Sequence, residues 1–150
     1  MLIAFDIGNT HIDLALFSNG VLLARDRMRT HGQPSHSEYA KHLMRFITTH
    51  AKRQSVKQAL IASVVRDMET DLISVCHQCD IAAHSVDSSW DLGLKIRYNN
   101  PKHVGIDRLL AAATAFAEAP PNTALVIADV GTAITVDLLS AEGTFLGGTI

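Results

Sequence analysis

Leu2 to Phe17 reads LIAFDIGNTHIDLALF. An apolar run ends at an acid, Asp6, followed by Ile7, Gly8, Asn9 and Thr10, and a second alternating run then places Ile12, Leu14 and Leu16 on one face. That pattern predicts strand, tight turn, strand. It returns downstream as ALVIADVGTAITVDLL, where Asp129, Val130, Gly131, Thr132 and Ala133 stand in the places of Asp6, Ile7, Gly8, Asn9 and Thr10. Two copies predict two similar half-structures.

The turn residues suggest a chemistry. A glycine there is expected to adopt positive φ and, lacking a Cβ, to let successive N–H groups face one concavity that suits phosphate oxygens. The hydroxyls of Thr10 and Thr132 can add donors. A carboxylate ending the strand repels phosphate but can hold a cation, or its waters, that bridges to phosphate. Acid plus glycine turn therefore points to a metal-nucleotide site. An ordinary Asp-x-Gly hairpin explains either copy taken alone, and it is the duplication that favours the nucleotide.

Composition bounds the rest. The chain has 150 residues, 47% hydrophobic and 19% charged, enough for one domain or two small lobes with a compact, ordered core. A net charge of -2 with scattered Lys and Arg gives no footprint for nucleic acid. No apolar run approaches the roughly 18 residues of a membrane span, and the N-terminus passes directly into a strand without a charged leader. The expectation is a cytoplasmic protein with neither nucleic-acid nor membrane partners. Cys76 and Cys79 are spaced C-x-x-C beside His77 and His84. A zinc site would need a second ligand pair, so two reduced thiols near a helix end are the simpler reading.

In chain order, Ser18, Asn19 and Gly20 form a turn and Val21 to Arg29 a third strand. Thr30 to Ser37 is a loop. Ser35 and Glu38 make a capping box for a helix whose stripe is Ala40, Leu43, Met44, Ile47 and Ala51. Ala59 to Val65 reads as a central parallel strand, Asp67 as the cap of a second helix carrying Met68, Leu72, Ile73 and Cys76, and Ile81 to Val86 as another strand. The order predicts an α/β fold, a mixed sheet with helices on its faces. Residues 87–104 are a polar, proline-bearing loop of the kind that binds ligands. Gly105, Ile106, Asp107 and Arg108 then open a helix with Leu109, Leu110, Ala113 and Ala117 on one face. Asp107 is either a stabilising cap or a functional carboxylate. Pro120 and Pro121 stop the helix and mark the expected boundary, giving a first lobe over 1–119 and the start of a second, similar lobe over 120–150. Since that second lobe stops soon after its hairpin, the chain is expected to be a piece of a longer one.

Together these residues form a signature. With DIGNT at Asp6–Thr10, YNNP at Tyr98–Pro101, GIDR at Gly105–Arg108, DVGTAITVD at Asp129–Asp137 and GGTI at Gly147–Ile150, the sequence resembles the type III pantothenate kinases. These belong to the acetate kinase, sugar kinase, Hsp70 and actin superfamily. The resemblance implies two ribonuclease H-like lobes, the second incomplete here, and ATP phosphates between the two hairpins. The first phosphate loop would be Asp6, Ile7, Gly8, Asn9, Thr10, His11, Ile12 and Asp13, with Thr132 contributing from the second. It implies Mg²⁺ with ATP near Asp6, a monovalent cation (K⁺ or NH₄⁺) on Asp129, and pantothenate held by Tyr98, Gly105, Ile106, Asp107 and Arg108. Asp107 would be the catalytic proton acceptor, and the family builds its substrate site at a homodimer interface. Family members continue past the GG-x-I motif at which this chain ends.

The reaction so implied is in-line attack of the pantothenate hydroxyl on the γ-phosphoryl of ATP, giving 4′-phosphopantothenate in the first step of coenzyme A biosynthesis. No GxxxxGK[ST] occurs, so charge must be offset by backbone amides and cations rather than a Walker lysine. An alcohol attacking a metaphosphate-like centre keeps its proton until late, so an ordinary carboxylate suffices as acceptor. Arg108 is available to anchor the pantothenate carboxylate. Two rival readings are another kinase or phosphatase of the superfamily and a non-catalytic nucleotide-binding accessory protein or fragment.

Overall fold

The computed structural model describes residues 1–30, 35–52, 55–98 and 103–150. They form two compact units, Met1–Val86 and Asp87–Ile150. The expected boundary at Pro120 thus falls inside the second unit. The reason is packing: the helix before Pro120 rests on the strands that follow it.

The first unit is built on three antiparallel strands, β1 (Leu2–Ile7), β2 (His11–Ser18) and β3 (Val21–Arg29). Asn19 and Gly20 both have positive φ, 49° and 77°, as the two-residue turn joining twisted strands requires. Helix α1 (His36–His50), β4 (Gln58–Ser63), α2 (Arg66–Gln78) and β5 (Ala82–Val86) follow. The sheet order is β3-β2-β1-β4-β5, with β4 parallel to both β1 and β5. This is the ribonuclease H-like arrangement, with β4 an interior strand parallel to both neighbours, as the apolar run Ala59–Val65 predicts, although the strand ends at Ser63.

Period-two alternation sends Ile3, Phe5, Ile7, Ile12, Leu14 and Leu16 to one face, where Tyr39, Leu43, Phe46 and Ile47 of α1 and Leu72, Val75 and Cys76 of α2 join them in one core. Both helices therefore cover the same face. Each fully buried Leu or Ile contributes about 1.5–3 kcal/mol. Helix α1 is further tied by His36 to Asp71 of α2 at 2.7 Å and by His42 to Asp26 of β3 at 2.9 Å. Its start is the expected capping box of Ser35 and Glu38: the Ser35 amide donates to Glu38 Oε2 at 2.6 Å, which holds that carboxyl below its usual range. Asp67 is not the cap of α2. Val65 occupies that place, bridged to Ser63, whose hydroxyl accepts from the Val65 amide at 3.0 Å, and Asp67 lies in the first turn. Both cysteines are buried thiols, and burial next to Cys79 pushes Cys76 up to about 12.

The second unit comprises β6 (Lys95–Ile96), α3 (Ile106–Glu118), β7 (Leu125–Val130), β8 (Ile134–Leu139) and β9 (Thr144–Thr149). Its sheet runs β6-β9-β8-β7, and β7-β8-β9 repeats the β1-β2-β3 meander. Strand β6 was not expected within 87–104; it is held by backbone bonds from Lys95 to Gly143 and from Arg97 to Phe145. Helix α3 packs on β7 and β8 through Ile106, Leu109 and Ala112, a face rotated from the one expected, leaving Ala117 exposed. Val126, Val130, Ile134, Leu138 and Leu146 are exposed. Three of them, Val126, Leu138 and Leu146, line an open apolar groove of about 310 Å³ that holds none of the expected site residues.

Candidate functional site

In the first hairpin, Ile7 pairs with Ile12 and the Gly8 amide donates to the His11 carbonyl at 2.9 Å. In the second, Val130 pairs with Ile134 and the Gly131 amide donates to the Ala133 carbonyl at 2.9 Å. The second turn is one residue shorter. Neither glycine has positive φ, contrary to expectation. An added Cβ at Gly8 would lie 3.4 Å from the His11 carbonyl oxygen, an ordinary contact.

Thr30, at the far end of β3 and buried, braces the first turn. Its hydroxyl donates to the Gly8 carbonyl at 2.7 Å and its amide to the Thr10 carbonyl at 2.9 Å. A trans peptide sets C=O and N–H on opposite sides, so the Asn9 amide is turned away from Thr30. The turn is thus built to offer an N–H outward. Ile7 and Ile12 are core residues, 0% exposed, and can serve a ligand only through their backbone.

Asp6 and Asp13 stand directly opposite each other on the face that α1 and α2 leave uncovered. Like charges so placed repel. The repulsion is relieved by Arg27, the register partner of Asp13, whose Nε and Nη2 reach its carboxylate at 2.7 and 3.0 Å. That contact holds the Arg27 guanidinium above its ordinary value. Arg27 has no part in the sequence reading, although its alternation with Asp26 and Arg25 placed it on the outer face.

The second unit gathers most of the remaining expected residues. Asp129, paired with Thr135, and Asp137, paired with Ile127, share the sheet face on which α3 lies. As diagonal neighbours their Cα atoms are about 7–8 Å apart. Asp129 and Thr132 are exposed at the turn end, whereas the Asp137 side chain is enclosed by α3. Gly105 is the N-cap of α3, Ile106 is buried, and Asp107 and Arg108 fill the first turn. Asp107 Oδ1 accepts the Arg108 amide at 2.8 Å, as an acid in a first helical turn does.

Arg108 is not an unengaged anchor. Its Nε and Nη2 donate to Asp137 at 3.0 and 2.5 Å, and this pairing raises the guanidinium further above its ordinary value. Two glycines of β9 accommodate the cluster. A Cβ on Gly147, whose φ is +92°, would lie 3.0 Å from the Tyr98 ring, and one on Gly148 would lie 2.6 Å from Asp137 Oδ1. Tyr98, Gly105–Arg108 and the Gly147–Gly148 pair therefore belong to one neighbourhood organised by Asp137. Asn99, Asn100 and Pro101 of the YNNP stretch lie outside the described residues. Asp137 stood within a quoted motif yet had no expected role. Its signal was a lone charged residue at an inward position of β8.

The family model described as Type III pantothenate kinase matches residues 2–150. A type III pantothenate kinase of Thermus thermophilus is 35% identical over 150 residues, covering 100% of this chain and 59% of its own length. One of Anaeromyxobacter dehalogenans (strain 2CP-C) is 36% identical over 152 residues, again covering 100% of this chain and 59% of its own length. The chain spans about three-fifths of the length of these relatives. Among solved structures, the provisionally named N-acetylglucosamine kinase of Porphyromonas gingivalis is similar with a TM-score of 0.51 at 16% identity, over 99% of this chain and 47% of its own. That likeness concerns the fold.

Proposed function

Since the chain belongs to the type III pantothenate kinase family, we propose that the protein carrying it phosphorylates pantothenate with ATP to 4′-phosphopantothenate, the first step of coenzyme A biosynthesis. The observation that supports this most is the family match over residues 2–150. The protein is proposed to act in the cytoplasm as a homodimer. No helix among the described residues is long and apolar enough to cross a membrane.

Asp6 to Asp13 are the proposed phosphate-binding element of the first unit, and Thr132 that of the second. Among the described residues no three His, Cys, Asp or Glu side chains converge as a metal cage. So sparse a set of carboxylates suits ions that arrive with the nucleotide: Mg²⁺, which keeps waters and phosphate oxygens as ligands, at Asp6, and K⁺ or NH₄⁺ at Asp129. When bound, such ions offset charge on the transferred phosphoryl group.

The chain's own residues position and accept. The Asn9 amide and the Thr10 and Thr132 hydroxyls orient phosphate oxygens. Tyr98 and Gly105–Arg108 hold pantothenate so that its hydroxyl lies in line with the γ-phosphoryl. Asp107 is the proposed catalytic residue: with Oδ1 occupied by the Arg108 amide, Oδ2 takes the hydroxyl proton.

The test is ADP release by the natural protein with pantothenate, with hexoses and without acceptor. Release that requires pantothenate supports the reading. Release driven by a sugar, or nucleotide binding without turnover, overturns it.

A further inference from the structure

A buried ion pair is a weak stabiliser, since two well-packed apolar side chains often do as well or better. Asp137, its side chain 3% exposed, nevertheless meets Arg108 in a two-point fork. Gly148 is the strand residue opposite Asp137, where a Cβ would press on its Oδ1. Arg108 carries five N–H protons, of which the fork uses the one on Nε and one of the two on Nη2. Among the described residues no buried side-chain nitrogen lacks a partner. The end-on edge, made of Nη1 and the outer Nη2 proton, is therefore the part of Arg108 left to meet an incoming anion.

We propose that Asp137 is a positioning residue: it pins the Nε–Nη2 edge of Arg108 against β8 so that the end-on Nη1–Nη2 edge is presented to the substrate carboxylate. The inference deepens the pantothenate kinase reading and rests on it. Because the pair is electrically neutral, such a site selects its acid by hydrogen-bond geometry rather than by net attraction. A free arginine would meet many anions by either of its edges, whereas a pinned one offers only its end-on edge, at a fixed place and angle.

The test uses the natural protein. Asp137→Asn is expected to raise KM for pantothenate about tenfold, with kcat and the KM for ATP within about twofold, the mark of lost uniform binding. Arg108→Lys keeps the charge but cannot form the fork, and is expected to do the same. The double variant should be no worse than either single one, because both break one link. Unchanged pantothenate KM in either folded single variant, or additive losses in the double, overturns the inference. Should Asp137→Asn not fold, Arg108→Lys carries the test. Separately, the ¹⁵N-labelled Arg108 Nε–H should exchange slowly in the substrate-free wild type. Rapid exchange there removes this inference alone, whereas a wild type that ignores pantothenate removes the functional reading and this inference with it.

Discussion

Arg108 and Asp137, 29 residues apart, are joined inside the second unit by two hydrogen bonds, and their side chains are only 12% and 3% exposed. Removing one partner leaves the other charge buried and uncompensated. Asp137→Ala is therefore expected to cost about 3–5 kcal/mol of stability in urea denaturation. The same truncation at Asp13, whose partner Arg27 is 63% exposed, should shift the midpoint little. Equal effects at the two sites would contradict the enclosure of Asp137.

Asp107→Asn keeps the shape of the first turn of α3 and removes the proton acceptor. Turnover with pantothenate is expected to fall about 10²–10⁴-fold. Nucleotide titration should give the wild-type affinity. Wild-type turnover in this variant would exclude Asp107 from the mechanism.

Gly148→Ala is expected to be more damaging than most surface changes, because its Cβ would sit 1.9 Å from the Val136 carbonyl oxygen and 2.6 Å from Asp137 Oδ1. The first obstacle is backbone and cannot swing aside. A loss of about 1–3 kcal/mol or more is expected, read as a lower melting temperature, together with weaker pantothenate binding. A variant that melts like wild type would mean that β8 and β9 do not approach as described.

If Asp129 holds a monovalent ion, replacing potassium by sodium should weaken ATP binding in the natural protein. Asp129→Asn should abolish the difference between the two salts. Calorimetric titration in each salt reads both effects. Indifference of the wild type to the exchange would remove Asp129 from that role.

Cys76 predicts an alkaline limit. Its thiol is held at about 12 against an ordinary value of 9.0, so the unfolded chain gives up this proton before the folded one does. The folded state then binds more protons, and stability falls as pH rises. The contribution is constant below about pH 9 and declines between 9 and 12. Urea midpoints measured up to pH 11 should show that decline in the wild type and less of it in Cys76→Ala. A thiol reagent at pH 8 should leave native Cys76 unmodified and label it after unfolding.

The first unit was largely legible because its strands alternate. Leu2–Phe17 sorts its apolar residues by parity, and Asn19–Gly20 names its own turn. Strand β6 was not legible, since two residues paired to distant β9 leave no local period. From Leu109 to Ala117 every position of α3 but Thr114 is apolar, so periodicity could not choose between Leu110 and Ala112. Gly8 and Gly131 were assigned a left-handed conformation that they do not adopt; each turn is closed instead by the glycine's own amide on the carbonyl of His11 or Ala133. The expected substrate residues did fall together in the second unit. Yet Asp137, which ties them, was readable only as an acid out of place, since its partner lies on another element.

Strands β1 and β7 hold matching places in the two hairpins, but β1 is flanked on both sides, by β2 and β4, whereas β7 has only β8 beside it among the described residues. Val126 and Val130 are exposed on that strand. The two copies of the hairpin therefore share an internal geometry while differing in what flanks them.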